Sequence, residues 1–445
     1  MKSKNIFGLM ALFLLLPLVT IGNLSAQELK FDGYLNTGLG LVIDNHEEHE
    51  AYIKAYGLDA DKQGLRFRLN GSYTNEAKTL GAKFRMQVQT RLDGQAGAGT
   101  NAAGYFSLPY AFGWVNFLKD IFTINGGIVE DNAWTTGDWW LASDSVSDFA
   151  GLGALLKITP LEGLVFGSGF YPINRRSGSN NNVLNISALG NGIKWYNVKY
   201  TLHAGYTLKD VFRIDLSWRT ENKAGIDAAN VNTATPESSK LYFDFRFLGL
   251  KPLTAVVAMS MDNLGENFTR AYPTSQNTAN VMISETFGYK INDNLNIGLN
   301  GLQYLYNLKD ASGNKVSVNP GLLFNLWGSY AFNKIVPRMD LVYFMGGSSR
   351  LVDRTTAIGD HNYGWDRIMG GFTNSPSRKD AEADKSLVSI RPSVKFNLDS
   401  KTFIEIGDMM NIDFGNFDGA YPVPGGPQNR SRFTNVLYVD FKWSF

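Results

Sequence analysis

The last stretch of the chain, Arg432–Phe445 with the sequence RFTNVLYVDFKWSF, decides the fold. Apolar and polar residues alternate along it. One face of such a strand carries Phe433, Leu437, Val439, Phe441, Trp443 and Phe445, and the other carries Arg432, Thr434, Asp440, Lys442 and Ser444. A period of two is typical of a β-strand with one apolar and one wet face. Because terminal residues are usually loose and polar, a strand this regular predicts pairing within a sheet.

The same alternation runs through an earlier segment, where the polar side chains are long. Leu80, Ala82, Phe84, Met86, Val88 and Leu92 alternate with Lys83, Arg85, Gln87, Gln89 and Arg91. In a soluble sandwich the apolar faces of many such strands would need a very large shared core. A membrane barrel needs none, because lipid covers its outer face and water its inner face.

The spacing of turns favours the membrane barrel. Short connections such as Asn75–Lys78, Leu118–Asp120 and Asp399–Lys401 alternate with long polar segments. Short periplasmic turns and long outer loops are the asymmetry of outer-membrane barrels. The sequence therefore predicts an all-β protein, a transmembrane antiparallel up-and-down β-barrel of about 16 to 18 strands. Among the predicted strands are Leu65–Thr74, Leu253–Met261 and Thr402–Met409.

The N-terminal segment has the pattern of an export signal. Lys2 and Lys4 precede an apolar run, and the small residues Ser25 and Ala26 follow it. This predicts a signal peptide over residues 1–26, cleaved after Ala26. Residues 27–445 then form a single barrel with long extracellular loops, without a membrane-spanning helix.

Composition excludes several classes of function. The 445 residues include 46 Gly, 29 Phe and no Cys, and the formal net charge is +1. A chain without cysteine has neither disulfides nor thiol catalysis, and a near-neutral chain has no global field to attract nucleic acid.

The signal peptide, the alternating segments and the aromatic last strand resemble the bacterial outer-membrane porins. The resemblance implies an outer-membrane location, contact with membrane lipid and no cofactor. It also implies that Tyr438, Phe441, Trp443 and Phe445 are the assembly signal read by the barrel-assembly machinery. Porin-like barrels often associate through their outer faces, so a homotrimer is expected.

The predicted size of the barrel indicates a function. With 16 to 18 strands the interior is too wide for wall side chains to fill, which predicts a water-filled channel for passive diffusion of small hydrophilic solutes. The alternative is a surface adhesin or interaction protein that uses its long loops, because the segment Gly346–Lys385 combines Tyr363, Trp365 and Phe372 with several charges.

A set of basic residues lies on the inner faces of one predicted hairpin, with no carboxylate among them. We call this set the basic stripe; it comprises Arg66, Arg68, Lys83, Arg85 and Arg91. Arg and Lys lining a pore favour anions, so anion preference is a hypothesis. The competing interpretation is that acids on other strands, such as Asp215 and Asp244, offset the stripe.

An aromatic and acidic segment, 130–149, is a candidate constriction loop. Its candidate residues are Glu130, Asp131, Trp134, Asp138, Trp139 and Trp140. Folded inward, it would narrow the channel and oppose carboxylates to the basic stripe. Packed on the barrel rim, it would leave the channel open.

The sequence is poor in catalytic and metal-binding patterns. An H-E-x-x-H zinc motif starting at His46 would require histidine where Glu50 stands. His203 is placed by parity beside Ser217 or Thr201, a common arrangement in a polar wall. No catalytic, cofactor or metal residue is predicted, and the protein is not expected to be an enzyme.

Overall fold

The computed structural model describes residues 28–44, 51–55, 65–90, 105–129, 151–174, 199–221, 238–249, 252–261, 270–271, 281–305, 308–309, 312, 314–316, 321–345, 386–413 and 432–445. Eighteen strands form one closed antiparallel barrel. This confirms the predicted fold class and selects the upper end of the predicted strand range. No helix within the described ranges is long and apolar enough to cross a membrane.

The barrel strands follow one another around the wall in chain order. The first six are β1 (Glu28–Asp44), β2 (Leu65–Thr74), β3 (Leu80–Thr90), β4 (Tyr105–Phe117), β5 (Phe122–Val129) and β6 (Gly151–Leu161). The next six are β7 (Leu164–Asn174), β8 (Lys199–Leu208), β9 (Phe212–Glu221), β10 (Ser238–Phe247), β11 (Leu253–Met261) and β12 (Val281–Lys290). The last six are β13 (Leu295–Leu305), β14 (Gly321–Tyr330), β15 (Ile335–Met345), β16 (Ser386–Asn397), β17 (Thr402–Asp413) and β18 (Arg432–Ser444).

The last strand closes the barrel on the first. β18 pairs antiparallel with β1 from Tyr34 opposite Ser444 to Asp44 opposite Thr434. Beyond the strand, the backbone N–H of Phe445 donates to the carbonyl of Gly33 at 3.1 Å. Closure matters because an open sheet edge in hydrocarbon would leave backbone groups without partners, at a cost of several kcal/mol each.

The short turns lie at one rim of the barrel, and several of them use left-handed backbone. Leu118, Lys119 and Asp120 have φ of 53°, 54° and 65° in the β4–β5 turn. Between β6 and β7, Gly163 has φ of 80°, and a Cβ there would collide with the carbonyl oxygen of Thr207. Only glycine fits both this conformation and this close approach.

Four shorter strands stand apart from the barrel strands. Ala51–Ala55 pairs with the second half of β1, from Leu39 to Ile43. It lies on the same edge of β1 as β2, which pairs with the first half of that strand. The other three, Arg270–Ala271, Leu308–Lys309 and Lys315–Val316, form a small separate sheet in the long connections.

The predicted strand bounds agree well with these elements. Leu65–Thr74 and Leu253–Met261 were expected with the bounds that the structure has. The prediction for β17 ended at Met409, but the strand continues to Asp413. Met410 and Ile412 continue the outward apolar positions beyond the predicted end, and Asn411 and Asp413 continue the inward polar ones.

Candidate functional site: the inner wall of the barrel

The inner wall is defined by an inverted distribution of polar and apolar side chains. On β18, the outward Leu437, Val439 and Trp443 are 44–49% exposed, whereas the inward Asp440 is fully buried. The pairing register of neighbouring strands places the other buried polar side chains on the same inner face as Asp440. They are Asn36, Arg66, Gln87, Asn125, Thr201, His203, Asp215, Ser217, Asp244, Ser284, Asn300, Asn325, Ser389 and Asp440. A soluble domain shows the reverse pattern, so the outer face suits lipid.

The described part of the basic stripe lies on the inner faces of β2 and β3. Arg68 donates to the amide oxygen of Gln87 from Nε and Nη2 at 3.0 and 2.7 Å. Arg85 donates from Nε to the amide oxygen of Asn70 at 2.7 Å. These amides hold the guanidinium groups against the wall and add no negative charge.

Aromatic rings also support the basic stripe. The Arg68 guanidinium lies 5.2 Å from the centre of the Tyr34 ring, and that of Arg85 lies 4.9 Å from the Tyr110 ring. Cation–π contacts of this kind orient a cation without neutralising it. Together with the amide contacts, they hold the Arg68 and Arg85 side chains against the wall.

Carboxylates lie on β1, the strand beside the basic stripe, and on β18, the strand beyond it. On β1, Asp32 accepts a hydrogen bond from Asn70. On β18, Asp440 accepts from the Asn36 amide at 3.0 Å to each of its oxygens. The inner faces of the hairpin carry no acid, but Asp32 lies on the strand beside it and Asp440 on the strand beyond.

A second charged cluster lies on the inner faces of β8, β9 and β10. Arg213 binds Asp215 with two hydrogen bonds, 2.5 Å from Nε and 3.1 Å from Nη2. His203 Nε2 lies 3.3 Å from Asp215 Oδ1, and His203 Nδ1 lies 2.7 Å from the Ser217 hydroxyl. Gly205 makes room for this arrangement, because a Cβ there would lie 2.5 Å from Asp215 Oδ1.

Ser217, His203 and Asp215 thus follow the order of a hydrolase triad. The side chain of His203 is fully covered and Ser217 is 6% exposed. A nucleophile must be reachable by its substrate. The geometry therefore supports a fixed polar contact in the wall rather than hydrolysis.

Asp244 is the most isolated acid of this cluster. It lies directly opposite Asp215 across the β9–β10 pair and is 1% exposed. Neither of its carboxylate oxygens has a hydrogen-bond partner in the described structure. A buried carboxylate beside a second carboxylate is costly.

A third charged cluster lies on β14 and β15. Arg338 binds Asp340 through Nε and Nη2, both at 2.7 Å, and its guanidinium lies 4.6 Å from the centre of the Trp327 ring. Asn325 donates to the same Asp340 at 2.9 Å. The sequence analysis missed this pair, although an Arg and an Asp two positions apart on one strand share a face.

Several predicted site residues lie outside the described residues. They are Arg91 of the basic stripe, the whole candidate constriction loop, and the segment Gly346–Lys385 on which the adhesin alternative rests. Residues 1–26 and the His46 segment lie outside them as well. In the part of the chain that is described, no group of three His, Asp or Glu side chains is placed to hold a metal ion.

The predicted assembly residues divide between the two faces of β18. Trp443 and Phe445 point outward with ring centres 5.1 Å apart, and Phe441 shares their parity. Tyr438 points inward and donates from its hydroxyl to Glu405 at 2.9 Å. Their role in assembly stays a prediction.

Comparison with known proteins gives matches at the level of structure alone. No protein-family model and no curated protein matches the sequence. Acinetobacter baumannii OccAB4 is 11% identical, with 94% of this chain and 98% of that chain covered and a TM-score of 0.48. A triple mutant of the Rhodopseudomonas blastica porin is 15% identical, with 94% and 100% covered and a TM-score of 0.40. The closed 18-stranded barrel is the architecture that the resemblance to outer-membrane porins predicted.

Proposed function

We propose that this protein is an outer-membrane porin, a water-filled channel through which small hydrophilic solutes diffuse passively, and that it has no catalytic activity. The observation that carries the proposal is the closed 18-stranded wall with buried polar side chains inside and exposed apolar side chains outside. A barrel of 16 to 18 strands leaves an aqueous lumen that its wall side chains do not fill.

The proposal includes a cellular route. The signal peptide over residues 1–26 would direct export, and the barrel-assembly machinery would read the aromatic end of β18. The exposed outward side chains, among them Leu39, Leu216 and Leu326, would contact membrane lipid. A homotrimer formed through the outer faces is part of the same proposal.

Anion preference is the finer part of the proposal, and the basic stripe supports it. The inner faces of β2 and β3 carry Arg66, Arg68, Lys83 and Arg85 and no carboxylate, whereas Asp215 and Asp340 lie beside Arg213 and Arg338 in the other two clusters. Carboxylate or phosphate solutes would be attracted to this hairpin.

The test is single-channel recording of the mature protein refolded in a planar bilayer, in symmetric salt and then in a salt gradient. We expect stable open steps and a reversal potential of anion-selective sign. The double variant Arg68→Gln/Arg85→Gln should move that potential toward cation selectivity. The matched control, Arg338→Gln/Asp340→Asn, removes one cation and one anion together and should leave it unchanged.

The outcomes separate the two parts of the proposal. A correctly folded barrel that conducts nothing would overturn the channel, whereas a conducting barrel of cation-selective sign would overturn only the anion preference. The candidate constriction loop is tested in the same recordings. Removing residues 130–149 should raise the conductance if this loop narrows the channel, and an unchanged conductance would reject that role.

A further inference from the structure

A row of aromatic side chains lies on the inner face of β4, and we call it the aromatic row. Its members occupy alternate positions of the strand and are Tyr110, Phe112 and Trp114. Asn125, which lies opposite Trp114 on β5, is one of the buried polar residues of the inner wall, so the row faces the lumen. Contact with lipid therefore does not account for these rings.

The indole of Trp114 lies over the neighbouring strand. Gly81 is directly opposite it on β3, and a Cβ built on Gly81 would lie 2.5 Å from Cζ2 and 2.6 Å from Cε2 of the indole. One face of the ring thus covers the Gly81 backbone, and the other face is turned toward the lumen. Trp114 is partly exposed and makes no ring–ring or cation–π contact with the described residues. Its lumenal face is an aromatic surface available to a solute.

Two cations follow Gly81 along β3 on the same face. Lys83 is two positions from Gly81 and Arg85 is two positions further, so they lie about 7 Å and about 14 Å along the strand from the position that the indole covers. The Lys83 side chain is exposed and has no hydrogen-bond or ion-pair partner in the described part of the chain. Arg85 is held by Asn70 and by the Tyr110 ring. An aromatic face and an unpaired ammonium group therefore lie side by side.

The third of the wall that surrounds this place carries charge of one sign. The six strands β2–β7 contain no Asp or Glu. Lys157 on β6 adds a further cation on the other side of the aromatic row. No carboxylate in these strands competes for Lys83 or repels an anion bound to it, so the surface is complementary to a solute that carries both a flat ring and a negative charge.

We propose that Trp114 and Lys83 form a binding site for nucleoside monophosphates. The base stacks on the lumenal face of Trp114, and the phosphate binds the Lys83 ammonium group, with Arg85 beyond it. The ribose separates base and phosphate by a span comparable to that between the indole and Lys83. Every base has a π-face on which an aromatic side chain can stack, and lysine binds phosphate as a point charge.

The two halves of the site explain why one solute class is favoured. Inorganic phosphate would use Lys83 alone, and an uncharged nucleoside would use Trp114 alone. A nucleoside monophosphate uses both. This site deepens the proposed channel function, because it rests on that function for the route by which a solute reaches the wall.

The test is isothermal titration calorimetry of the mature barrel, refolded in detergent at low salt, with AMP, adenosine and ribose 5-phosphate. AMP should bind more tightly than either fragment. Trp114→Leu should weaken AMP binding about fivefold or more, as expected for the loss of a base–aromatic stack, and leave ribose 5-phosphate binding unchanged. Lys83→Gln should weaken AMP binding about threefold or more at low salt and leave adenosine binding unchanged.

Trp327 on β14 provides the matched control. Like Trp114, it lies three positions before the end of its strand and over a glycine, Gly298. Its ring is instead occupied by Arg338, which is bound to Asp340. Trp327→Leu should leave AMP binding unchanged. Trp114→Phe keeps a ring and should keep most of the affinity, which separates the loss of stacking from a general disturbance of the wall.

Three results would overturn the inference. They are AMP bound no more tightly than ribose 5-phosphate, a Trp114→Leu protein that binds AMP like the natural one, and an equal loss of AMP binding in Trp327→Leu. Calorimetry does not require conduction, so the site and the channel fail separately. A conducting barrel that does not bind AMP would reject the site and leave the channel, and a barrel that binds AMP without conducting would do the opposite.

Discussion

The closure seam between β1 and β18 should be the most sensitive place in the barrel, and Gly33 is the residue that tests it. The Phe445 ring crosses β1 at Gly33 and stacks on Phe67 of β2, with ring centres 6.1 Å apart and an interplanar angle of 20°. A Cβ on residue 33 would lie 2.7 Å from Phe445 Cζ and would also collide with the backbone oxygen of Arg68. The variant Gly33→Ala therefore displaces the ring.

The expected magnitude follows from these contacts. Overpacking of this kind costs about 1–3 kcal/mol, and losing the Phe67 stack adds about 0.5–1.5 kcal/mol. Phe445→Ala removes the contacts of Phe445 with Phe67 and Trp443, at about 0.5–1.5 kcal/mol for each ring pair. The two variants share the Phe67 stack, so the double variant should lose less than the sum by about 0.5–1.5 kcal/mol.

The assay is urea unfolding of the barrel refolded in lipid vesicles, followed by tryptophan fluorescence. Gly126→Ala is the matched control, because no atom lies within 4 Å of a Cβ built at that outward glycine. We expect the control to unfold like the natural protein. Strict additivity of Gly33→Ala and Phe445→Ala, or a Gly33→Ala barrel as stable as the control, would refute the packing of Phe445 across Gly33.

Two further predictions use the same assay. Asp244→Asn should raise the free energy of unfolding by about 1 kcal/mol or more, because it removes a buried carboxylate that has no hydrogen-bond partner and lies opposite Asp215. Asp215→Asn should lower it by about 3–5 kcal/mol, because Arg213 then loses its buried partner; shifts of the same sign would contradict the described pairing. In the β16–β17 turn, the Lys401 backbone N–H, helped by the Thr402 hydroxyl, holds the pKa of Asp399 below its ordinary 3.8. Since a depressed carboxyl pKa stabilises the fold above the unfolded value, that contribution should disappear as the pH falls below 3.8. Asp399→Asn should weaken the pH dependence of the free energy of unfolding below pH 3.8. An unchanged pH dependence would mean that other acids cause it.

The two-residue period was sufficient to predict the strands and their faces, because lipid and water select opposite side chains at alternate positions. It does not show where a strand ends: the prediction for β17 stopped at Met409, although Met410 and Ile412 continue the outward apolar face of that strand. It also does not show that Tyr438, on the inner face of β18, binds Glu405.

The alternation of residues along a strand predicts the face of each side chain but not its neighbour on the adjacent strand. Parity places Asp215 and Asp244 on the inner wall, but only the register puts them opposite each other. Likewise, nothing local in Gly33 indicates that the Phe445 ring will lie over it. Register depends on turn geometry and on the shear of the closed barrel, which are properties of the whole sheet.

The described barrel has little apolar core, and this changes where its stability resides. Buried apolar clustering is limited to patches such as Met409, Val436 and Tyr438. Outward leucines such as Leu216, 44% exposed, stand in lipid, so shortening them leaves no closed cavity. Specific stability must then come from the closure seam and from hydrogen-bonded networks such as Arg213 with Asp215.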